Sequence, residues 1–325
     1  MNSQKSWKII SGLIVGLSAC SSRDSSDASG EGSSWIGEES GSGGNGSGGN
    51  GNSSDDDDGL RLDVGSGTGG DGDADGGDSC KKVDVLIAID NSGSMSEEIE
   101  ALKGPVFDSF PETLLKVGNG LESFNLAVID ACNAPAAFHN WGKQGNCNFS
   151  SGKNYMQSTS ATLLEEYKCV MGLSPQGYNG SADLCTGKND DEQPGNTAAQ
   201  ALSSPAIDDY NQDFLREDAV LFVVAITDED EQPSPGRSAA EIAQALIDAK
   251  GSIDRVVFLG IGGAKACEGP YGDAEEAPVL AELAGIFAEQ EHGLFWDLCE
   301  GSLEEAFQAG LQIVDNACDD FVNPL

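Results

Sequence analysis

From residue 83 onward two kinds of apolar pattern alternate along the chain. Val83 to Ile89 (VDVLIAI) is nearly continuous, as are Ala219 to Ile226 (AVLFVVAI), the strongest such run, and Val256 to Ile261. Short unbroken runs of this kind predict strands covered on both faces. Phe124 to Ile129 predicts another strand, and Leu294 to Trp296 a shorter one. Elsewhere the apolar residues recur at helical spacing, as with Ile242, Ala245, Leu246 and Ala249 inside Ser238 to Lys250. Pro278 to Gln290 and Leu303 to Asn316 predict the last helices. Ser94 to Val117 is mostly helical with a break at Gly104-Pro105, where proline removes a backbone donor and clashes with the preceding turn. Strands alternating with helices predict an α/β fold, a doubly wound and mostly parallel central sheet flanked by helices.

The rhythm fails in two places. Residues 131–191 are rich in Asn, Gly and Ser, hold Cys132, Cys147, Cys169 and Cys185, and show little periodicity beyond Ala161 to Met171. A loop this long inside a compact domain is usually functional or cross-linked, so the segment reads as a disulfide-stapled insertion. Residues 20–79 are Ser, Gly, Asn and Asp with few apolar side chains. Such a segment cannot offset its ordering entropy and predicts a disordered, flexible tether. Asp71-Gly72-Asp73-Ala74-Asp75-Gly76 has the opening of a calcium loop, but the twelfth position is Lys82, where a bidentate Glu would be required. A solvated acidic linker accounts for it better.

Residues 1–19 carry Lys5 and Lys8 followed by the apolar stretch Ile9 to Leu17. That stretch is shorter than the roughly 20 residues needed to span a bilayer, and it reads as a signal peptide. Its end, Leu17-Ser18-Ala19-Cys20, resembles the lipobox of bacterial lipoproteins. The resemblance implies cleavage before Cys20 and its lipidation, with the protein held in the cell envelope by lipid, at the outer membrane or cell surface or on a periplasmic face. The organisation expected is a signal peptide (1–19), a linker (20–79) and one domain (80–325).

The nine cysteines fit this plan. With Cys20 lipidated, eight remain for disulfides, which belong to an exported protein; none forms a CxxC pair, so a zinc ribbon or dithiol redox site is not indicated. Cys80 precedes the first strand and Cys318 follows the last helix, and chain ends of such domains often meet, which predicts a Cys80–Cys318 bond. Cys267 and Cys299 bracket one helix and a short strand and form a second expected pair. Cys132, Cys147, Cys169 and Cys185 should pair among themselves. The formal net charge is −38, and residues 80–325 alone carry 13 basic against 41 acidic side chains. That sign opposes nucleic acid and anionic lipid, and it favours solubility and divalent cations.

The candidate chemistry stands at strand ends. Asp90-Asn91-Ser92-Gly93-Ser94-Met95 follows the first strand, and Thr227-Asp228-Glu229-Asp230-Glu231 follows the strongest one. Ligands of doubly wound sheets bind beyond the carboxyl ends of strands. An acid and two hydroxyls at alternate positions can converge there, an oxygen set suited to a hard cation such as Mg²⁺. If both strands are central, Asp90 and Asp228 face each other. Ser94 ahead of Glu97 also fits a helix-capping box, which explains one serine but not the acid and second serine in register with it.

VDVLIAIDNSGSM resembles the opening strand and metal loop of von Willebrand factor A domains, with their Asp-Xaa-Ser-Xaa-Ser, and ITDED resembles that family's later strand ending in Thr-Asp. The resemblance covers most of 81–317 outside the insertion. It implies that Asp90, Ser92, Ser94 and Asp228 form a metal-ion-dependent adhesion site. The cation would be Mg²⁺, with Mn²⁺ or Ca²⁺ as alternatives, and an open position would accept an acidic group from a partner protein. The family's threonine ligand corresponds to Thr197, in Gly195-Asn196-Thr197, with Asp190, Asp191 and Glu192 just upstream as alternative oxygen donors. No enzyme is implied. A surface lipoprotein whose metal only stabilises the fold is the principal alternative, and a metal-dependent hydrolase a weaker one. A subtilisin-like reading lacks its His and Ser contexts, because His139 and His292 are the only histidines. A phosphoryl-transfer enzyme would want basic groups for the phosphate, and only Lys103 stands near the motif.

Overall fold

Each long apolar run forms a strand of one sheet. The computed structural model describes residues 80–117, 120–132, 134–174, 176–181, 192–231, 237–319 and 321. The signal peptide, the linker, Cys20, Cys185, Asp190 and Asp191 lie outside the described residues. In chain order the elements begin with β1 (Lys82–Ile89), α1 (Ser96–Leu102), α2 (Pro105–Asp108), α3 (Phe110–Leu114) and β2 (Ser123–Asp130). The insertion follows with β3 (Trp141–Gly142), β4 (Gly145–Asn146), β5 (Met156–Gln157) and α4 (Leu163–Val170). Then come α5 (Pro194–Ala201), α6 (Ala206–Asp209), β6 (Val220–Ile226), α7 (Ala239–Lys250) and β7 (Val256–Gly262). A small ribbon of β8 (Cys267–Gly269) and β9 (Gly272–Ala274) precedes α8 (Pro278–Ala288), β10 (Gly293–Asp297) and α9 (Leu303–Asp319).

The six-stranded sheet runs β10-β7-β6-β1-β2-β5. Every pair is parallel except β2 with β5. The order reverses at β1, which has β2 on one side and β6 on the other, and such a switch point opens a crevice beyond the strand ends. Strand side chains alternate between two apolar layers. Val83, Val85, Ile87 and Ile89 of β1 join Phe222 and Val224 of β6 on the face packed against α9. Leu86 and Ala88, with Leu221 and Val223, face α5, α7 and α8. This is the doubly wound arrangement, and it explains why β6 is apolar throughout and β1 is apolar apart from Lys82 and the ion-paired Asp84 near its amino end.

Helix boundaries have local causes. Gly104-Pro105 separates α1 from α2, and Ser238 with Glu241 closes a reciprocal capping box at the start of α7, which ends on the left-handed Gly251. The insertion is more deeply built in than a stapled loop. It supplies the antiparallel edge strand β5, paired at Asn125–Gln157 and Leu126–Met156. Its Phe149, Met156, Tyr167 and Met171 are buried in one apolar layer, and Phe138 and Tyr155 in the other.

Cys80–Cys318, Cys147–Cys169 and Cys267–Cys299 are disulfides, and Cys132 is disulfide-bonded as well. Bonds in this number belong to an oxidising compartment. Beside the first of them, Cys80 N–H donates to the Cys318 carbonyl at 2.8 Å. Near the amino end of β1, buried Asp84 accepts from Arg216 N–H at 2.8 Å and Arg216 Nε at 2.7 Å, with Lys250 Nζ at 3.7 Å. Among the described residues no helix is long and apolar enough to cross a membrane.

Candidate metal centre

The parallel register sets Ile89 opposite Ile226, and Asp90 N–H donates to the Ile226 carbonyl at 2.9 Å. The loops after β1 and β6 therefore leave the sheet side by side. Asp90 is fixed through both oxygens. Oδ1 accepts from Ser92 N–H at 2.7 Å and Oδ2 from the Thr227 hydroxyl at 3.0 Å. Ser92 Oγ and Ser94 Oγ are 2.8 Å apart, and the Ser94 side chain hydrogen-bonds Asp228. Asp90, Ser92, Ser94 and Asp228 thus form one connected group at the carboxyl edge of the sheet.

Three further acids surround them. Glu98 of α1 feels the charges of Asp228 and Asp90. Glu192 shares a side-chain hydrogen bond with Glu229 and feels Asp90 and Asp228. Burial is the main cause of every pKa shift here, because removing a carboxylate from water disfavours its charged form. Burial raises Asp90 to about 6, against the Ser92 N–H that favours its charge, and Asp228 adds to the rise. Glu98 is raised to about 7 and Glu192 to about 9. Asp228 is raised by burial, against its hydrogen bond from Ser94.

Among the described residues, no Lys, Arg or His forms an ion pair with Asp90, Glu98, Glu192 or Asp228. Lys103, just beyond α1, pairs with Glu100 at 2.8 Å. Asp228 Oδ1 and Glu98 Oε2 are buried with no hydrogen-bond partner. Unpartnered buried carboxylate oxygens are costly, and an oxygen-rich group of acids and hydroxyls is what a hard divalent cation binds. The residues present fit such an ion.

Thr197 lies within a helix. Pro194 starts α5, as proline favours the first helical position, so Thr197 sits one turn inside the helix. It is fully buried, and its hydroxyl donates to the Ala131 carbonyl at 2.7 Å. Glu192, upstream of the helix, faces the acid group instead.

Sequence reasoning overlooked Glu98, Thr227 and the separate tasks of the acids after Asp228. Glu98 lies four residues after Ser94, a spacing that shares one helix face. Asp230 Oδ1 accepts from Val279 N–H at 2.9 Å and Leu280 N–H at 3.3 Å, capping α8. Glu231 accepts from Gly195 N–H at 2.5 Å and Asn196 N–H at 3.1 Å, capping α5. Burial raises the Glu231 carboxyl to about 7 despite those bonds. A Cβ at Gly195 would stand 2.7 Å from Glu231 Oε1 and 2.8 Å from Leu283 Cδ2. We therefore expect Gly195→Ala to cost about 1–3 kcal/mol by overpacking, measured by urea denaturation.

Another metal-capable group, Cys267, Asp297 and Cys299, has ligand atoms within 4.8 Å of one another. Its two sulfurs are bonded to each other, so it offers no thiolate while oxidised.

No family model and no curated protein matches the chain. Among solved structures it is similar to a manganese-loaded Plasmodium vivax TRAP protein, at 10% identity and a TM-score of 0.36, over 74% of this chain and 74% of that one. Fold and site together define a doubly wound α/β domain with an acidic, oxygen-rich centre at the carboxyl edge of its sheet.

Proposed function

We propose that the protein is a cell-envelope lipoprotein with a von Willebrand factor A-like domain, which binds a divalent cation and through it an acidic group of a partner protein. Asp90, Ser92, Ser94 and Asp228 would hold the ion, with Glu192 or Thr197 completing the set. One observation carries the reading: buried acids at the ends of β1 and β6 and on α1 converge with orphaned oxygens and, among the described residues, no basic partner. When bound, the cation supplies the positive charge that a partner carboxylate needs. The chain's own residues do the positioning. Ser92 N–H and Thr227 orient Asp90, and the Ser94 hydroxyl orients Asp228. Ser94 is solvent-exposed, which leaves the centre open to a partner. Mg²⁺ is the first candidate, with Mn²⁺ and Ca²⁺ as alternatives. The domain acts as a binding module, without catalysis.

The test is capture of a partner from envelope extracts with and without a chelator. A partner retained only with cation, and displaced by a free acidic peptide, supports the reading. Retention indifferent to the chelator rejects cation-mediated adhesion. For the anchor, Cys20→Ala should abolish lipid labelling and membrane association, measured by detergent partitioning; a variant that still partitions with membranes rejects the lipoprotein assignment.

A further inference from the structure

A cavity of about 310 Å³ lies between the carboxyl end of α5, the start of α6 and the segment after β2. Pro135, Ala136, Gln200, Ser204, Tyr210 and Arg237 line it. Its walls are fixed by Asn211, which is buried. The Asn211 amide donates to the Ala136 and Ala201 carbonyls at 2.9 and 2.8 Å and accepts from Phe138 N–H at 2.9 Å. The segment after β2 and the end of α5 are thereby held at a set distance.

The charge at this cavity is unexpected. Residues 80–325 carry 41 acidic side chains against 13 basic, yet Arg237 Nη1 is buried with no hydrogen-bond partner. Among the described residues, the acid that feels Arg237 is Glu241. Its carboxylate is engaged by Ser238 N–H at 2.8 Å and the Ser238 hydroxyl at 2.9 Å, within the α7 capping box. The cavity therefore combines one uncommitted guanidinium donor with the apolar faces of Pro135 and Ala136 and the half-exposed ring of Tyr210, which is packed edge-on against Tyr178. Ligand cavities run from about 300 Å³ upward and are mostly apolar with a few placed polar groups.

We infer that this cavity binds a monocarboxylate with a compact apolar body, the carboxylate on Arg237 and the body against Pro135, Ala136 and Tyr210. A planar guanidinium matches a carboxylate. A phosphate dianion would bring more charge into a strongly acidic domain and would want further cationic donors than the single Arg237. The same chemistry is offered by a free organic acid and by the carboxyl terminus of a peptide ending in an apolar residue.

The test is calorimetry on the intact protein in chelator, repeated on an Asp228→Ala background, so that neither a cation nor the metal centre can capture the probe. N-acetyl-leucine should bind saturably. N-acetyl-leucinamide should bind about ten-fold more weakly or worse, as should N-acetyl-leucine to Arg237→Gln, because a hydrogen bond to a charged group is lost. Ser204→Phe, which fills the mouth at an exposed residue and keeps Arg237, should weaken binding similarly, so the proposal stays testable if Arg237→Gln misfolds. A peptide ending in leucine that binds more tightly than N-acetyl-leucine identifies a polypeptide terminus as the source, and weaker peptide binding identifies a free acid. Equal affinity for acid and amide, unchanged binding in a folded Arg237→Gln, tighter binding of inorganic phosphate, or no saturable binding of any probe each overturns the proposal.

Discussion

Mg²⁺ or Mn²⁺ should raise the melting temperature of the wild-type domain and leave that of Asp228→Ala where it was. An ion that binds only the folded state stabilises it by RT ln(1 + [L]/Kd), about 4 kcal/mol at a thousand times Kd. For a domain of this size that corresponds to roughly 8–16 °C. Asp228 is the ligand to remove, because its Oδ1 is orphaned and buried while Ser94 holds the carboxylate in place. Without cation the variant should be no less stable than wild type. Burial raises the Asp228 pKa, so the folded state opposes this charge rather than drawing on it. Scanning calorimetry with each cation gives the answer. Equal shifts in both proteins would place the cation elsewhere.

A second large effect should appear with no metal at all. In chelator, stability should fall as pH rises from about 5 to 9. The reason is a set of acids whose folded-state pKa lies above the unfolded value: Asp90 at about 6, Glu98 and Glu231 at about 7 and Glu192 at about 9. In this window the unfolded chain has released protons that the folded chain still holds, so each further rise in pH favours unfolding. For Asp90, only 1% exposed, the loss between its ordinary carboxylate range and pH 7 comes to about 3 kcal/mol. The others add to it as a coupled set. Acids held low, such as Glu241 and Asp218, change their contribution only below this window. Saturating cation should flatten the slope, because binding displaces the same protons. Urea denaturation at pH 5 and pH 8, with and without Mg²⁺, measures both. A chelated protein more stable at pH 8 than at pH 5 would show that these acids are solvated.

The sheet could be read from the chain because both of its faces are covered. A strand buried on two sides must be apolar except where a polar group is paired, as Asp84 is by Arg216, and VDVLIAI and AVLFVVAI have no other stable place. The acid and hydroxyls of Asp90, Ser92 and Ser94 were visible for a related reason, since they interrupt apolar runs at the strand end where such sheets bind ligands. Glu98 was hidden by its helix. On an amphipathic surface an acid looks the same whether it faces solvent or a metal loop, and only the packing of α1 against the β6 loop distinguishes the two. In Thr227-Asp228-Glu229-Asp230-Glu231 five neighbouring residues do different things, from orienting Asp90 to capping α8 and α5, and no spacing rule separates them. Strand β5 has two residues, too few for any period to register, so the edge it completes could not be seen.

The Cys80–Cys318 bond has a mechanical consequence. It ties Cys80 to the end of the last helix, and β1 begins two residues after Cys80 at Lys82. The same strand ends beside Asp90, at the proposed point of attachment for a partner. Under the proposed function, a pull between a partner at the metal centre and a lipid anchor ahead of Cys80 would run lengthwise down β1. That strand is held on both sides in parallel register, from Lys82–Ser123 to Ile89–Asp130 against β2 and from Val83–Val220 to Ile89–Ile226 against β6. Load along such a strand strains its flanking hydrogen bonds in shear, all together, instead of opening them one by one from an end. Asp84, gripped by Arg216, adds a buried ionic peg near the amino end of the strand. The strand proposed to hold the ion would then also be the cable that bears the force.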